Sequence, residues 1–189
     1  MKKGLKRFIC VVSVMLMLIP LVACGSGSGS GSGSKDAGAD NKFPDFKAED
    51  LSGKQYSEKV FAESDATVVN FWFTGCQACI AEMPDLEKMS AKLAKDNVKF
   101  IGICTDAGEA GIDKEAGKIL KASNVTFPNL KLKEGEKMTE FVNSINAFPT
   151  TVVVDKNGKI VGDPIVGAIN GDREKVLYDR IEQAKSMNK

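Results

Sequence analysis

Two largely apolar runs, residues 68–73 and 98–104, dominate the hydrophobic pattern of the chain. Runs of this kind are typical of strands that are buried on both faces of a sheet. Between them, residues 80–93 repeat apolar side chains at the three- to four-residue spacing of a helix. Because a right-handed crossover makes the two strands parallel, we expect their carboxyl ends at one edge of the sheet.

Shorter patterns predict the remaining elements. Residues 46–50 and 55–59 flank a turn-rich break and predict a β-hairpin at the start of the domain. The later segments predict a helix over 114–122, a short strand over 127–132, a helix over 137–146, a hairpin of 150–155 with 159–166, and a terminal helix over 172–185. The fold class is therefore α/β, with an antiparallel end to the sheet.

The first 23 residues have the pattern of a secretory signal, because four cations precede an apolar stretch from Phe8 to Val22. The segment ends in Leu-Val-Ala-Cys, which resembles the lipobox of bacterial lipoproteins and implies lipidation of Cys24. The alternative is ordinary signal cleavage, or an uncleaved anchor, with an unmodified Cys24. We expect a signal peptide over 1–23, a lipidated cysteine with a flexible Gly/Ser linker over 24–42, and one domain over 43–189.

Composition excludes several classes of function. The chain has no histidine, which rules out His-based acid/base catalysis and His-ligated zinc or haem. Without the leader, 22 of the 26 basic residues remain against 25 acidic ones, so nothing points to nucleic acid. After the leader with Cys10 is removed, only Cys76, Cys79 and Cys104 accompany the expected lipid-bearing Cys24. This disfavours a closed four-cysteine zinc site, and we expect neither metal nor cofactor.

The segment Cys76-Gln77-Ala78-Cys79 connects the first apolar run to the predicted helix. Two thiols at this spacing on a strand-to-helix turn form a redox pair. A helix N-terminus offers free N–H groups and partial positive charge to the first sulfur, which lowers the pKa of that thiol. Cys76 is therefore the expected attacking thiol, and Cys79 the resolving thiol.

Four short motifs follow one another in a recognisable order: Asn-Phe-Trp over 70–72 leading into the cysteine pair, Glu-Met-Pro over 82–84, Phe-Pro-Thr over 148–150, and Lys-Asn-Gly over 156–158. Together they resemble the thioredoxin superfamily, and within it the TlpA-like (ResA-like) membrane-tethered thiol-disulfide oxidoreductases. The resemblance covers about residues 43–186. It implies a three-layer α/β/α sandwich with a mixed sheet, an N-terminal β-hairpin and a central insertion between Cys104 and Leu132.

The resemblance also implies the substrate face. Pro149 is expected to be cis and to lie against the two sulfurs, with Phe148 offering main-chain groups to an extended substrate segment. The expected substrate-binding residues are Trp72, Gly75, Gln77, Ala78, Phe148, Pro149 and Thr150. Gly75 stands where the family usually has tryptophan, and the dipeptide between the cysteines lacks the proline often found there, so the direction of electron flow does not follow from membership.

Glu82 falls three residues after Cys79 on the apolar stripe of the helix. We expect its carboxyl to lean inward, with a raised pKa that allows proton exchange with Cys79, and TlpA-like proteins resemble this chain in having Glu there. The alternative is a solvated glutamate paired with a lysine. Cys104, at the end of a buried strand, is expected to be a small core residue, with a third redox thiol as the alternative.

The leading hypothesis is an extracytoplasmic enzyme, a protein-disulfide oxidoreductase that reduces partner proteins and is held at the bacterial cell membrane by its lipid. The resemblance suggests a CcdA-like membrane thiol donor, and apocytochrome c, another secreted disulfide protein or a methionine sulfoxide reductase as recipient, with the enzyme acting as a monomer. Three alternatives stay open: a disulfide oxidase or isomerase, a thiol peroxidase, and a Cu(I)-binding module that uses the two thiolates.

Overall fold

The computed structural model describes residues 41–133 and 135–188. The predicted signal peptide, the lipidation at Cys24 and the Gly/Ser linker as far as residue 40 lie outside the described residues. Within the two described ranges, no helix has both the length and the apolar composition needed to cross a membrane.

Seven strands form one sheet in the order β2-β1-β5-β4-β3-β6-β7. The strands are β1 (Lys47–Asp50), β2 (Gln55–Ser57), β3 (Ala66–Trp72), β4 (Val98–Cys104), β5 (Asn129–Leu132), β6 (Thr150–Asp155) and β7 (Ile165–Val166). The α-helices are α1 (Gln77–Leu93), α2 (Ile112–Ala122), α3 (Glu136–Asn143) and α4 (Asp172–Met187), and two 3₁₀ helices span Glu58–Glu63 and Ala94–Asp96.

The centre of the sheet is mixed, as expected. β3 runs parallel to β4 and antiparallel to β6, and every residue of β3 is buried. β1 and β2 form the predicted N-terminal hairpin, and β5 lies between β1 and β4. The insertion that separates Cys104 from Leu132 consists of α2 and β5. The prediction of a thioredoxin-like sandwich is confirmed.

Alternation along β3 divides the core between the two faces of the sheet. Val68 packs with the inner faces of α1 and α4, which contribute Leu86 and Leu177 among others. Val69 points to the opposite face, where it packs with phenylalanines from the N-terminal segment and with Met138 of α3. Helices therefore cover both faces, and the edge at which β3 and β4 end is left for the loops that follow them.

The predicted second strand of the C-terminal hairpin is mostly wrong. Instead of a strand over 159–166, only Ile165–Val166 pairs with β6 as a strand, and Ile160 makes an isolated bridge to Val154. Gly162 has a φ of +70°, and Pro164 has no N–H to donate to a ladder. These two residues interrupt the strand that the hydrophobic pattern favours.

The described chain begins beside the turn that follows β6. Asn41 donates its side-chain N–H to the carbonyl of Ile160 (2.9 Å) and accepts the backbone N–H of Ile160 (2.7 Å). The N–H of Phe43 donates to the carbonyl of Gly158 (2.8 Å), and the ring of Phe43 is buried. Residues 41–43 are thus fixed at the end of the sheet where β3 begins, because Ala66 pairs with Asp155 in the register.

Candidate active site

The cysteine pair lies where β3 ends and α1 begins. Cys76 is the N-cap residue of α1, and its Sγ accepts the backbone N–H of Cys79 (3.1 Å). The two residues form a disulfide with their Cα atoms 5.3 Å apart. When the disulfide is reduced, the same N–H and the positive end of the helix dipole stabilise a thiolate on Cys76. The strand-to-helix turn inferred from the sequence is therefore present.

The two sulfur-bearing residues differ in accessibility. Cys76 keeps 7% of its surface exposed, whereas Cys79 keeps 1%. Trp72, Met83 and Cys104 enclose the pair on the protein side. Cys76 is therefore the more exposed residue of the pair.

The expected substrate residues around Cys76 form its rim. Gly75, Gln77 and Ala78 are all exposed. A Cβ atom on Gly75 would stand 3.0 Å from the ring of Phe73, so a larger residue here requires that ring to move. The rim beside Cys76 is therefore low and flat, with little apolar surface of its own.

The loop before β6 completes this face. The peptide bond between Phe148 and Pro149 is cis, as the resemblance implies. Phe148 is half-buried, packs against the cluster that holds the cysteine pair, and meets the ring of Phe73 edge-to-face with centroids 5.3 Å apart. The chain thus brings Phe148 against Phe73 and the cysteine cluster across a sequence gap of about 70 residues.

Trp72 and Thr150 require a correction, because their side chains do not face the surface, and the ring of Pro149 is buried as well. Trp72 is 0% exposed, and its indole N–H donates to Oδ1 of Asn129 (2.9 Å). Thr150 is also buried, and its hydroxyl donates to the carbonyl of Ala147 (2.8 Å). Both lie at the ends of buried central strands, so they support the substrate face from beneath instead of contacting a substrate.

The carboxyl of Glu82 is buried, with 6% of the residue exposed. Its Oε1 accepts an N–H from the side chain of Asn70 (3.0 Å), and its Oε2 accepts the backbone N–H of Ile169 (2.8 Å). Burial raises the pKa of Glu82, and the hydrogen bonds from Ile169 and Asn70 offset part of that rise. The inward orientation and the raised pKa are confirmed, and the alternative of a solvated glutamate is wrong.

The partners of Glu82 were missed in the sequence. Asn70 donates also to the hydroxyl of Thr151 (3.0 Å), its antiparallel neighbour in β6. An asparagine within an otherwise apolar strand was the available signal, since a buried amide needs partners. Ile169 contributes only its main chain, from the loop before α4, and no side-chain pattern could have indicated it.

Cys104 is free and buried at the end of β4. Its Sγ–H donates to Oδ1 of Asp106 (3.1 Å). Burial and the neighbouring carboxylate of Asp106 raise the pKa of this thiol well above its usual range. A protonated, enclosed thiol is a poor nucleophile, which agrees with the expectation of a core residue. Among the described residues, no three Cys, Asp or Glu side chains group closely enough to hold a metal ion.

Comparison with known proteins adds to this geometry. A family model described as the AhpC/TSA family matches residues 39–162, about two thirds of the chain. The chain belongs to the AhpC/TSA family. Within this thioredoxin-like family it is similar to the thiol-disulfide oxidoreductase ResA of Oceanobacillus iheyensis, with 28% identity over 91% of this chain and 88% of the relative. It is also similar to the thioredoxin-like protein YneN of Bacillus subtilis, with 31% identity over 67% of this chain and 70% of the relative.

Solved structures agree with the family assignment. A thiol:disulfide interchange protein from Bacteroides sp. matches with a TM-score of 0.58 and 25% identity, over 76% of this chain and 88% of that chain. The thioredoxin domain of a thiol-disulfide oxidoreductase from Bacteroides vulgatus shares the fold, with a TM-score of 0.58 and 24% identity over 78% and 99%. The sequence-based resemblance to TlpA-like proteins is confirmed, and the protein is a thiol-disulfide oxidoreductase of the AhpC/TSA family.

Proposed function

We propose that the protein reduces disulfide bonds in partner proteins, with Cys76 as the attacking thiol and Cys79 as the resolving thiol. The observation that carries the proposal is the asymmetry of the pair: Cys76 caps the helix and is the more exposed residue, with 7% against 1% for Cys79. A thiolate must form on the sulfur that partners can reach, and the helix N-terminus favours it there.

Electrons and protons balance over two exchange steps. The Cys76 thiolate attacks one sulfur of the partner's disulfide, the other partner sulfur leaves as a thiolate, and a mixed disulfide forms. The Cys79 thiolate then attacks the Cys76 sulfur and releases the second partner thiolate. Two electrons pass to the partner, both of its thiolates take up protons, and the enzyme is left with the Cys76–Cys79 disulfide.

Glu82 is proposed to accept the proton of Cys79 before the second step. The two residues are three positions apart on α1, so their Cβ atoms are roughly 5–6 Å apart. The raised pKa of Glu82 lets its carboxyl exchange protons closer to neutral pH than an exposed glutamate does. Asn70 and Ile169 hold the carboxyl in place with one N–H each.

An extended partner segment is proposed to cross the exposed rim of Gly75, Gln77 and Ala78 and to reach the cis-proline loop. Phe148 would meet it there with its main-chain groups, since Pro149 has no N–H and its carbonyl already accepts the N–H of Gly167 (2.8 Å). A low rim made of glycine and alanine accommodates a folded protein surface, which favours a protein substrate over a small thiol.

The location and the partners follow from the leader and the resemblance. Export with a lipid on Cys24 would hold the enzyme on the extracytoplasmic face of the cell membrane. Reduction outside the cytoplasm needs imported electrons, for which a CcdA-like membrane thiol protein is the proposed donor. Apocytochrome c, other secreted disulfide proteins and methionine sulfoxide reductase are the proposed recipients.

A trapping experiment tests the roles of the two cysteines. The full chain with Cys10 and Cys24 replaced by serine is reduced and mixed with a disulfide-bonded protein such as insulin. Cys79→Ser should accumulate a covalent mixed disulfide, since the attacking thiol remains and the resolving thiol is gone. Cys76→Ser, the matched control, should accumulate none. Trapping by Cys76→Ser instead would reverse the two roles.

The direction of electron flow is tested separately by the reduction potential of the pair in thiol/disulfide buffers. A value near or below about −230 mV, in the range of thioredoxin and glutaredoxins, supports a reductase. A value near about −120 mV, that of a strong periplasmic oxidant, would reassign the protein to disulfide donation.

A further inference from the structure

The carboxylate of Asp106 joins the loop after β4 to the turn that leads into the cysteine pair. It accepts the backbone N–H of Thr74 (3.0 Å to Oδ2) and the hydroxyl of the same residue (2.5 Å). Its other oxygen accepts the Sγ–H of Cys104 (3.1 Å). One half-buried carboxylate is therefore held by three donors, and two of these belong to the active-site turn.

These hydrogen bonds extend the pairing of the two central strands beyond their ends. Trp72 pairs with Cys104 in the parallel register, and Thr105 donates its N–H and its hydroxyl to the carbonyl of Trp72 (2.9 and 3.2 Å). The N–H of Cys76 in turn donates to the carbonyl of Phe73 (3.0 Å). Residues 73–76 are thus fixed at both ends, with Thr74 tied to Asp106 in the middle.

The carboxylate also brings negative charge close to Cys76. Thr74 precedes Cys76 by two residues, so their Cα atoms are at most about 7 Å apart. Because Asp106 is hydrogen-bonded to Thr74, its carboxylate lies on the order of one Debye length from Cys76 at physiological salt. Glu82 is buried on α1 three residues after Cys79, whereas α2 and the cis-proline loop contribute the apolar side chains of Ala116 and Phe148 to the cluster around the pair.

We infer that Asp106 is a positioning residue for Cys76, which fixes the turn before it and shifts the equilibrium of the pair toward the disulfide. Its charge opposes the thiolate that the helix N-terminus stabilises, so the pair becomes a stronger reductant. The three donors, above all the Thr74 hydroxyl, neutralise part of this charge. The inference rests on the proposed attacking role of Cys76.

Two substitutions with opposite expected signs test this inference. Asp106→Asn keeps an acceptor for Thr74 and removes the charge, so the equilibrium with glutathione should move about tenfold toward the dithiol, or about +30 mV. Thr74→Val keeps the charge and removes its hydroxyl donor, so the equilibrium should move toward the disulfide. Both are measured in the full chain with Cys10 and Cys24 replaced by serine. Asp106→Glu should restore most of the wild-type value.

Controls separate the charge from a general loosening of the turn. Asp85→Asn removes the same charge from an exposed site of α1, where Asp85 pairs with Lys88, and should leave the equilibrium within about twofold of wild type. The rate of Cys76 alkylation near neutral pH should rise in Asp106→Asn and fall in Thr74→Val.

Shifts of the same sign in both variants would reduce Asp106 to a structural support and overturn the inference. If Asp106→Asn does not fold, the sign in Thr74→Val decides alone, since a shift toward the dithiol there contradicts the charge effect. Wild type that is alkylated faster at Cys79 than at Cys76 would instead overturn the proposed roles of the cysteines.

Discussion

Replacement of Glu82 by glutamine should destabilise the oxidised protein most strongly at acid pH. Each carboxyl oxygen of Glu82 accepts one N–H, from Asn70 and from Ile169. A glutamine has one acceptor oxygen, so its own amide group must face one of these two donors. At low pH Glu82 is protonated, but its hydroxyl oxygen can still accept the second N–H, which the amide group of glutamine cannot do. The variant therefore leaves a buried donor without a partner, which costs about 1–3 kcal/mol.

The pH dependence follows from the raised pKa of Glu82. In the folded state this pKa lies above the ordinary value of 4.5, so the stability that the protonated group contributes is fully present below about pH 4.5. It is lost as the pH rises through the raised folded-state pKa. Glutamine does not ionise, so the difference between variant and wild type should shrink over that window.

Urea unfolding of the oxidised protein at a series of pH values from about 4 to 8 measures this difference. The matched control is Glu87→Gln on the same helix, whose carboxylate accepts the N–H (2.7 Å) and the hydroxyl (2.6 Å) of Thr126 at an exposed site. Water can satisfy these groups, so a smaller loss without this pH window is expected. An equal difference between Glu82→Gln and wild type at every pH would refute the reasoning about Glu82.

Three further predictions concern the buried surroundings of the pair. Trp72→Phe should lower the free energy of unfolding by about 1–3 kcal/mol, because Oδ1 of Asn129 loses its indole donor; an unchanged urea midpoint would contradict this. Gly102→Ala should lower the free energy of unfolding further, since a Cβ there would stand 1.9 Å from the same oxygen of Asn129. A thermal stability equal to that of wild type would contradict this, because it would mean that the strands move apart at no cost. In the native reduced protein, Cys104 should resist alkylation at a pH where Cys76 reacts, because burial and Asp106 raise the pKa of Cys104; equal labelling by mass spectrometry would refute this.

The hydrophobic pattern predicts the central elements well because burial alone determines them. The apolar run that begins at Val68 and the run over 98–104 correspond to β3 and β4, and the prediction for β6 has the observed bounds. The pattern fails at residues 159–166, where apolar side chains suggest a full strand but Gly162 and Pro164 interrupt the pairing. It also fails after β2, where Ser57 caps a 3₁₀ helix.

Some residues of the candidate site could be predicted from the sequence, and others could not. The cysteine pair and Glu82 could be inferred from spacing, since position on a helix fixes which side chains share a face. The substrate role of Trp72 could not be judged, because exposure at a strand end depends on which neighbouring elements cover it. The contacts of Asp106 and of the Ile169 main chain could not be predicted from the sequence either, because they involve loops that are distant in sequence from their partners.

The attachment of residues 41–43 beside Ile160 fixes the start of the described chain relative to the cysteine pair. The cysteine pair follows the last residue of β3, whereas Asn41 is fixed near the end at which β3 begins. Seven strand residues, or about 20 Å of extended chain, separate the two ends. Asn41 and Cys76 therefore lie at opposite ends of the central strand. A label placed at Asn41 would therefore lie about one strand length from the thiol and leave Cys76 uncovered.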